Sequence, residues 1–545
     1  MHSSRRQQRA LLLLLLGCSS NVPMTRAQEE AGEDAQVVDE VAQDGVDNSQ
    51  NDIGVAAIWH DELLYTAITT TGFLGDNVNE NAGDTDIVIK SFDDSLTENS
   101  NIQIGSDGDD FVTAMAGDLD VQGDFVIVGS TLSTDTHLFD TQTDATGETD
   151  WFIATMSRSD LEITGSYVNG TLENDQQATA VAIDPTVDGG GTYYVAGWTW
   201  GEYFATNVGS DNPTDSVGYD AWVLKISEFD VDVEPEWGIQ FGTVAYDTPS
   251  ALLAYDSTVY VVGSTRDDSN VLSAAEEAET YGMFVRALDG DDGTELWAAD
   301  ENLGFLSDSS EAHGAVLNDD GSELFVAGNT QGIIPGYDGD TTDSDELFVV
   351  SIDTSDGTVN WVWQSEGNAT AFGTGGVVMA DDGVSPIVSG IAFGNQFNLT
   401  FTYWEDGSGD MIAAKIDPDD LEVSKYFVAA AARTTTREQA MAMVKDPDVT
   451  DGVFLIGKED GDFTDRTVIP EADPTSTTDE NYSNFLALKV QLEVLPEEED
   501  PDNGRSFPYW YVGVPVFAVG GVLFVVAYKW AAASQAAKAK AATMV

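Results

Sequence analysis

The chain has 545 residues, and its 97 acidic and 21 basic side chains give a formal net charge of −76. Such a surface repels nucleic acid and anionic lipid and attracts cations, so nucleic-acid binding is excluded and cations are expected partners. The single cysteine, Cys18, lies near the N-terminus. The rest of the chain therefore has no disulfide, no thiolate metal site and no cysteine nucleophile.

The N-terminal segment has the three parts of a secretory signal. A stretch with three arginines precedes the apolar residues 10–16, a run far shorter than the roughly 20 residues that span a bilayer. Small and polar residues then lead to Ala27, so residues 1–27 are predicted to be a signal peptide that is removed. The sequence Leu15-Leu16-Gly17-Cys18 also resembles a bacterial lipobox, in which Cys18 would be lipidated, and the host lineage stays open.

Residues 28–54 are acidic and poor in large apolar side chains, which is typical of a disordered leader. A repeated unit then occupies residues 55–495. Each unit has a strand of small residues, an aromatic or β-branched strand that ends in glycine, a long polar loop, a strand that opens with an acid or glycine, and a strand that often carries tryptophan.

Two independent markers count the units. The glycine that closes the second strand recurs 57 to 68 residues apart, at Gly72, Gly129, Gly197, Gly263, Gly328, Gly390 and Gly457. The third strand opens at Asp86, Asp150, Asp220, Gly282, Asp345, Asp410 and near Ser483. Both markers predict seven units.

A period of this length with four short strands per unit predicts an all-β fold, a seven-bladed β-propeller. A β-sandwich would explain the strands but not the regular period. The small first strands suit the crowded central axis. The ring is expected to close either with the seven units in order or with N-terminal strands that complete the last blade.

Two resemblances are carried by particular segments. Asp220-Ala-Trp-Val-Leu-Lys, followed by Trp237 to Gly242, resembles the SBBP family of seven-bladed propeller repeats, and the likeness extends over about residues 55–494. Asp289-Gly-Asp-Asp-Gly293 with Trp297, and Asp353 to Trp361, resemble the tryptophan-docking motif of quinoprotein-like propellers. Both resemblances imply a propeller, and neither implies one ligand.

The enzyme hypotheses find little support in the sequence. The quinoprotein resemblance implies a quinone, a calcium ion and commonly a vicinal disulfide, which a chain without cysteine after Cys18 does not form. Beyond the signal, the histidines are His60, His137 and His313, without a zinc-type spacing. Paired carboxylates of a glycosidase cannot be singled out among so many acids. No cofactor is predicted apart from calcium.

One acidic loop has the alternation of oxygen ligands and small residues that calcium loops show. Its candidate ligands are Asp338, Asp340, Asp343 and Asp345. The spacing differs from that of an EF-hand, and solvation of a charged surface is the competing hypothesis. The acidic stretches 106–110 and 289–293 are more typical of turns.

Four sequences match the N-glycosylation acceptor pattern. They place the candidate asparagines at Asn169, Asn368, Asn398 and Asn481. All four are predicted to lie in loops on one side of the ring, which favours a glycoprotein if the host is a eukaryote.

The two faces of the propeller are expected to differ. The loops from strand two to strand three are long, and they share a face with the connections between blades; we call it the long-loop face. The other, the tight-turn face, carries short turns. Because binding residues concentrate on long loops, the long-loop face is the predicted ligand surface. The last blade's fourth strand would also end there, so the stalk that follows would start on this face.

The C-terminal region predicts a membrane anchor. An acidic stalk, residues 496–505, precedes residues 506–528, which contain no charge, are long enough to span a bilayer and are flanked by aromatic residues. The tail, residues 529–545, carries three lysines and no acid. The positive-inside rule therefore predicts a single-pass type I protein of the plasma membrane or an endomembrane, with its bulk extracellular or luminal.

Three functional hypotheses follow. The first is a non-catalytic binding, adhesion or scaffold ectodomain for an extracellular protein or glycan. The second is a cell-surface enzyme, such as a glycan- or peptide-directed hydrolase, with quinone-dependent oxidation the least favoured. The third is a structural surface protein that binds cations.

Overall fold

The structure is a computed structural model. It describes residues 36–43, 51–60, 62–72, 85–117, 124–132, 149–170, 175–184, 192–201, 203–204, 219–226, 235–242, 246–267, 280–299, 310–337, 346–365, 370–372, 376–393, 410–428, 437–460 and 483–494. Within these residues the chain is all β, and its strands form seven sheets arranged as the blades of a propeller.

The strands follow each other blade by blade. After β1 (Gln36–Gln43), blade 1 consists of β2 (Asp52–His60), β3 (Leu63–Thr70), β4 (Asp86–Phe92) and β5 (Glu98–Ile104). Blade 2 consists of β6 (Asp110–Gly117), β7 (Asp124–Thr131), β8 (Asp150–Ser157) and β9 (Ile163–Asn169). Blade 3 consists of β10 (Gln176–Ile183), β11 (Tyr193–Thr199), β12 (Asp220–Ile226) and β13 (Trp237–Phe241). Blade 4 consists of β14 (Tyr246–Tyr255), β15 (Thr258–Asp267), β16 (Thr280–Asp289) and β17 (Glu295–Ala298).

The last three blades complete the ring. Blade 5 consists of β18 (Ser310–Leu317), β19 (Glu323–Thr330), β20 (Glu346–Asp353) and β21 (Val359–Gln364). Blade 6 has a divided inner strand, β22 (Thr370–Phe372) and β23 (Val377–Met379), then β24 (Pro386–Phe393), β25 (Asp410–Ile416) and β26 (Val423–Val428). Blade 7 consists of β27 (Arg437–Asp446), β28 (Gly452–Asp460), β29 (Ser483–Gln491) and the N-terminal β1, while β30 (Glu493–Val494) is added to blade 6.

Burial explains the hydrophobic pattern of the repeat. The middle strands of a blade pack between two neighbouring blades, so both of their faces are covered; β4 and β8 are buried almost throughout. Their sequences accordingly contain consecutive apolar residues, 87–89 in β4 and 151–154 in β8, rather than a strict alternation. The inner strands β2 and β10 alternate buried and partly exposed residues, as expected for strands that line the central channel on one face.

The glycine that closes each second strand has a packing reason. Five inner strands carry a β-bulge opposite it, as between Ala178 and Ala180 in blade 3, whereas the bulge of blade 1 lies opposite Ile68. A Cβ on Gly197 would overlap the backbone oxygen of Gln177 and the ring of Trp222. The same clash with an inner-strand oxygen recurs at Gly129, Gly263, Gly328 and Gly457. Only glycine therefore allows the inner strand and the third strand to approach so closely.

The N-terminal strand closes the ring. β1 pairs antiparallel with β29 from Gln36↔Gln491 to Gln43↔Phe485 and supplies the outer strand of blade 7. β2 then packs against blades 2 and 7 at once. The prediction of a disordered leader over residues 28–54 is therefore wrong for Gln36–Gln43 and for the start of β2. The open edge of β29 needs a hydrogen-bonding partner, and the leader provides it.

The chain leaves the ring at the tight-turn face. β29 runs from the long-loop face to the tight-turn face, and β30 then pairs with the beginning of β26 through Tyr426↔Glu493 and Lys425↔Val494. The strand of blade 7 that ends at the long-loop face is β1. The stalk, residues 496–505, lies outside the described residues, and the last described residue before it, Val494, lies at the tight-turn face. The described part of the chain has no helix long and apolar enough to cross a membrane; the predicted span, residues 506–528, lies outside the described residues.

Tryptophan side chains link consecutive blades near the tight-turn face. Trp237 of blade 3 donates from Nε1 to Gly290 O of blade 4 at 3.1 Å, and a Cβ on Gly293, which has φ +73°, would lie 2.7 Å from its ring. Trp297 of blade 4 makes the same contact with blade 5, through a 2.9 Å bond to Thr354 O. Both indoles thus pack on a turn of the next blade, and the likenesses to the quinoprotein-like and SBBP families stay resemblances.

Candidate functional site

A polar bridge recurs beneath the long-loop face. In three blades, a glutamine of the fourth strand donates from Nε2 both to the acid that opens the third strand and to a glycine carbonyl that follows the second strand, at 2.6 to 2.8 Å. The sets are Gln103 with Asp86 and Gly72, Gln240 with Asp220 and Gly201, and Gln364 with Glu346 and Gly332. Because the bridge is repeated around the ring, it is part of the scaffold that fixes where the long loops begin.

Several acids of the polar layer beneath the long-loop face are buried, and burial raises their pKa values. Desolvation is the main cause that raises the pKa values of Asp86 and Asp220, and a glutamine bond lowers each one in part. Asp110, which opens the inner strand of blade 2, has its pKa raised to about 6 by burial, partly offset by hydrogen bonds from Thr131 and Ser106. Such values can mark a catalytic acid, but their recurrence at several blades indicates a structural layer.

One junction differs from the others by an aromatic cluster. Trp198, Trp200, Tyr219 and Tyr246, here called the aromatic cluster, lie together at the long-loop face between blades 3 and 4, and all four are partly exposed. Tyr219 is central: its ring centroid lies 4.3 Å from that of Trp198, 4.6 Å from Trp200 and 4.8 Å from Tyr246. The four rings present apolar faces and two phenol hydroxyls on one surface.

The strands of both blades position this cluster. Tyr219 directly precedes β12, and Tyr246 opens β14, whose second residue, Asp247, donates its backbone N–H to Tyr219 O at 2.8 Å. Asp220 and Asp247 lie buried below the rings. A Cβ on Gly242 would be 2.5 Å from Asp220 Oδ1 and 2.8 Å from Asp247 Oδ2, so the two carboxylates meet at this glycine. The rings thus cover the polar layer of the junction.

Hydrogen bonds hold the tryptophans in place. Trp198 Nε1 donates to Gln177 Oε1 at 3.1 Å, and Trp200 N donates to Asp175 O at 3.0 Å. The turn after Trp200 is tied to Gln240, which accepts from Tyr203 N at 2.8 Å and donates to Gly201 O at 2.7 Å. A surface fixed in this way binds a ligand without a large ordering cost.

The phenol of Tyr219 is held in its protonated form. Burial is the main cause of its raised pKa, and the nearby Tyr246 and Asp175 raise it further. The hydroxyl therefore donates and accepts hydrogen bonds at physiological pH rather than carrying a charge.

The propeller itself does not require aromatic residues here. The same backbone bond joins consecutive blades at three junctions, from Asp110 N to Thr85 O, from Gln176 N to Thr149 O and from Asp247 N to Tyr219 O. The residues equivalent to Tyr219 are thus Thr85 and Thr149. The residues equivalent to Tyr246 are Asp109 and Asp175. Two junctions form without aromatic rings at these positions, which favours a functional reason for those of blades 3 and 4.

The predicted calcium loop stays untested, since Asp338, Asp340, Asp343 and Asp345 all lie outside the described residues. Among the residues that are described, no group of three or more histidine, cysteine, aspartate or glutamate side chains is placed to hold a metal ion.

Of the four predicted glycosylation sites, the structure describes one. Asn368, Asn398 and Asn481 lie outside the described residues. Asn169 is the last residue of β9 rather than a loop residue; it is partly buried, and its Nδ2 donates to the hydroxyl of Tyr167. Glycosylation stays a prediction, and at Asn169 it would replace that bond.

The histidines that the structure describes show no arrangement for catalysis. His313 contacts Asn329, and its Nε2 lies 3.7 Å from Glu311 Oε2. His60 ends β2, and His137 lies outside the described residues.

Sequence reasoning did not single out the aromatic cluster. A signal was present: Trp198 and Trp200 flank one threonine, and Tyr219 and Tyr246 each directly precede an aspartate, where the junctions of blades 1 and 2 and of blades 2 and 3 have threonine and aspartate. Aligning the repeats with each other, rather than marking only their glycines and acids, would have revealed the exception.

Comparisons with known proteins find only distant likenesses. No family model matches the chain, and no curated protein matches it. Among solved structures, it is similar to hydrazine synthase of Kuenenia stuttgartiensis, at 13% identity over 57% of this chain and 73% of that one, with a TM-score of 0.33. It is also similar to the endosialidase of phage phi92 (9% identity, 89% and 74% coverage, TM-score 0.36) and to the hemagglutinin-neuraminidase ectodomain of parainfluenza virus 5 (7%, 82% and 81%, 0.33). At these values the likeness carries no argument about function.

Proposed function

We propose that this protein is a membrane-anchored, extracytoplasmic glycan-binding propeller without catalysis of its own, and that the aromatic cluster between blades 3 and 4 is its binding surface. The single observation that carries the proposal is the cluster itself, four partly exposed and mutually packed rings on the long-loop face at a junction that needs none of them.

The chemistry of the cluster suits a saccharide. The face of an aromatic ring is electron-rich and apolar, so it stacks on the C–H face of a pyranose. The hydroxyls of Tyr219 and Tyr246 are placed at the same surface, where sugar hydroxyls find hydrogen-bond partners. Large rings with few rotatable bonds also lose little conformational freedom on binding.

The charge of the chain narrows the ligand class. A net charge of −76 repels anionic polymers, and Asp220 and Asp247, which follow Tyr219 and Tyr246 in the chain, bring two carboxylates together at this junction. We therefore expect a neutral or amino-sugar glycan rather than a sialylated or sulfated one.

The same acids argue against the enzyme hypothesis at this place. Asp220 and Asp247 are 1% and 2% exposed, so a glycosidic bond would not reach them. Asp86 and Asp110 form the same kind of pair between blades 1 and 2, where the aromatic rings are replaced by Thr85 and Asp109. Because the acid pair recurs at a junction without the aromatic cluster, a structural role in the propeller explains it better than catalysis does.

The orientation supports display on a membrane. The described chain begins at Gln36 and ends at Val494, and both positions lie at the tight-turn face, opposite the aromatic cluster. Membrane anchoring and the type I orientation belong to this proposal.

The test measures saccharide binding by the full-length chain in detergent. Neutral glucan, xylan and chitin oligosaccharides, with a sialylated oligosaccharide as the anionic comparison, are titrated while tryptophan fluorescence is recorded. The double variant Trp200→Ala and Tyr219→Thr should weaken binding by at least roughly tenfold, the scale of one lost stacking contact and its hydrogen bond. Tyr219→Thr copies Thr85 and Thr149, so the ring should still fold.

The matched control is Leu296→Thr, which removes an exposed apolar side chain from the outer strand of blade 4 and should leave binding unchanged. If the wild-type chain binds no neutral or amino-sugar oligosaccharide, or if the double variant binds as tightly as the wild type, the proposed function is wrong.

A further inference from the structure

A second feature of the acid layer lies between blades 1 and 2, away from the aromatic cluster. Asp86 opens β4 and Asp110 opens β6, and Asp110 N donates to Thr85 O at 2.9 Å, which brings the two strand ends together. Both side chains are fully buried, at 0% exposure. Their charges are close enough for Asp86 to raise the pKa of Asp110.

Each of these carboxylates is only half satisfied. Asp86 Oδ2 accepts from Gln103 Nε2 at 2.7 Å, and Asp110 Oδ2 accepts from Ser106 N at 2.5 Å. In the described part of the chain, the Oδ1 atoms of Asp86 and Asp110 are buried and have no hydrogen-bond partner, and neither has the Oδ1 of the adjacent Asp109. Three orphaned carboxylate oxygens at one junction require an explanation such as a bound ion.

One carboxylate lies against a stretch of backbone that lacks a side chain, and the other accepts a hydrogen bond from the residue that follows it. A Cβ on Gly105 would overlap the Oδ1 of Asp86, and the next residue, Ser106, donates the bond to Asp110. Both carboxylates therefore face the Gly105–Ser106 backbone.

The fold does not need two acids at such a junction. Between blades 2 and 3 the equivalent pair is Asp150 and Gln176, and Gln176 Nε2 donates to Thr199 Oγ1 at 3.4 Å. An uncharged amide thus fills the position of Asp110 in the same architecture, and no oxygen of Asp150 is among the orphaned ones described. Asp247 stands at the position of Asp110 between blades 3 and 4, where Asp220 Oδ1 also lacks a partner, so the acid pair occurs at two of these three junctions and the propeller also forms without it.

Two like charges buried together are unstable unless something compensates them. Either a proton or a cation can do so. The geometry points to a cation site: the Oδ1 atoms of Asp86 and Asp110 are ligands of one divalent cation with a preference for oxygen, of which calcium is the best match.

Calcium suits this arrangement because it accepts irregular oxygen shells completed by backbone carbonyls and water. Two carboxylates with water and carbonyl groups are compatible with the finding that the described residues contain no cluster of three or more acidic, histidine or cysteine side chains able to hold a metal. The site is independent of the loop at Asp338 and of the proposed glycan surface.

The test counts bound calcium. Equilibrium dialysis of the full-length chain against radioactive calcium, in about 0.5 M sodium chloride to screen the acidic surface, is compared for the wild type and Asp110→Gln, which copies Gln176. We expect the variant to bind one calcium fewer per chain and to lose the saturable part of the calcium-dependent rise in melting temperature. The double variant Asp340→Asn and Asp343→Asn should keep the bound calcium ion and the saturable rise in melting temperature.

Protonation supplies a second readout that does not depend on the variant folding. Calcium competes with the proton for the pair, so the rise in melting temperature of the wild type should be smaller at about pH 5 than at about pH 7.5. The inference is overturned if the wild type binds no calcium at this ionic strength, or if Asp110→Gln binds as many ions as the wild type with the same rise. Either result would leave a shared proton as the compensating group.

Discussion

Replacing Asp110 by asparagine should stabilise the propeller at neutral pH once divalent cations are removed. Burial is the largest cause that raises the pKa of Asp110 from 3.8 to about 6, and the charge of Asp86 adds to it. The folded state thus holds the proton more tightly than the unfolded chain. Stability is therefore lost as the pH rises from the unfolded value through the folded value, and the full loss is reached above about pH 7.

The magnitude follows from the size of the shift. At 1.36 kcal/mol per pKa unit, a rise from 3.8 to about 6 corresponds to about 3 kcal/mol of lost unfolding free energy. Asparagine has nearly the shape of the protonated acid, so the variant should avoid this loss. The gain should vanish near pH 4, where the wild-type carboxyl is protonated in the folded state.

Urea unfolding of the full-length wild type and variant, in chelator and from about pH 4 to about pH 8, measures the difference. We expect equal stability at the acidic end and an advantage of about 2–3 kcal/mol for Asp110→Asn at the neutral end. Asp419→Asn, at an exposed turn residue, is the control and should give a small difference at every pH. A difference that does not change with pH, or a variant that is less stable at neutral pH, would refute the reasoning.

Three further predictions test how the ring is held together. Gly357→Ala should lower the free energy of unfolding by about 2–4 kcal/mol, because φ is +75° and the new Cβ would lie 2.6 Å from Trp297. In a Trp297→Leu background the same substitution should cost only about 1–2 kcal/mol. If urea unfolding gives the same cost in both backgrounds, the contact between Trp297 and this turn is ruled out. Deletion of Gln36–Gln43 should expose the edge of blade 7 and lower the melting temperature, with aggregation visible in light scattering; an unchanged melting temperature would contradict the closure by β1. Lys415→Met should cost about 1–2 kcal/mol, because Asp451 and Asp382 each lose an ion-pair partner while Lys425 stays 2.7 Å from Asp451. A loss below about 0.5 kcal/mol in urea unfolding would show that Lys415 is unimportant.

The repeat made the fold predictable from the sequence. A glycine recurring every 57 to 68 residues reports a local steric demand, since at five of these positions a Cβ would collide with the bulged inner strand of the same blade. The number of blades follows from counting that demand, and the prediction of seven is confirmed. The docking contact of Trp297 with Gly357 was likewise predictable, because the turn that receives the ring has a short sequence signature.

Ring closure was not predictable, because β-pairing joins segments that are far apart in the chain. Gln36–Gln43 has the acidic composition of a leader, and only the open edge of β29, about 450 residues later, makes it a strand. Because β1 is the outer strand of blade 7, β29 is the last strand that the C-terminal part of the chain adds to this blade, and the described chain ends at the tight-turn face.

For the candidate site, too, the sequence determined one part and the tertiary structure decided the other. The sequence alone determined that the molecule is a highly acidic, seven-bladed repeat, because composition and local sterics are written in each unit. Only the tertiary structure decided which side chains meet: Trp200 with Tyr219 and Tyr246, and Asp86 with Asp110. Each meeting lies at a junction between strands, where closeness depends on how one sheet packs on the next rather than on distance along the chain.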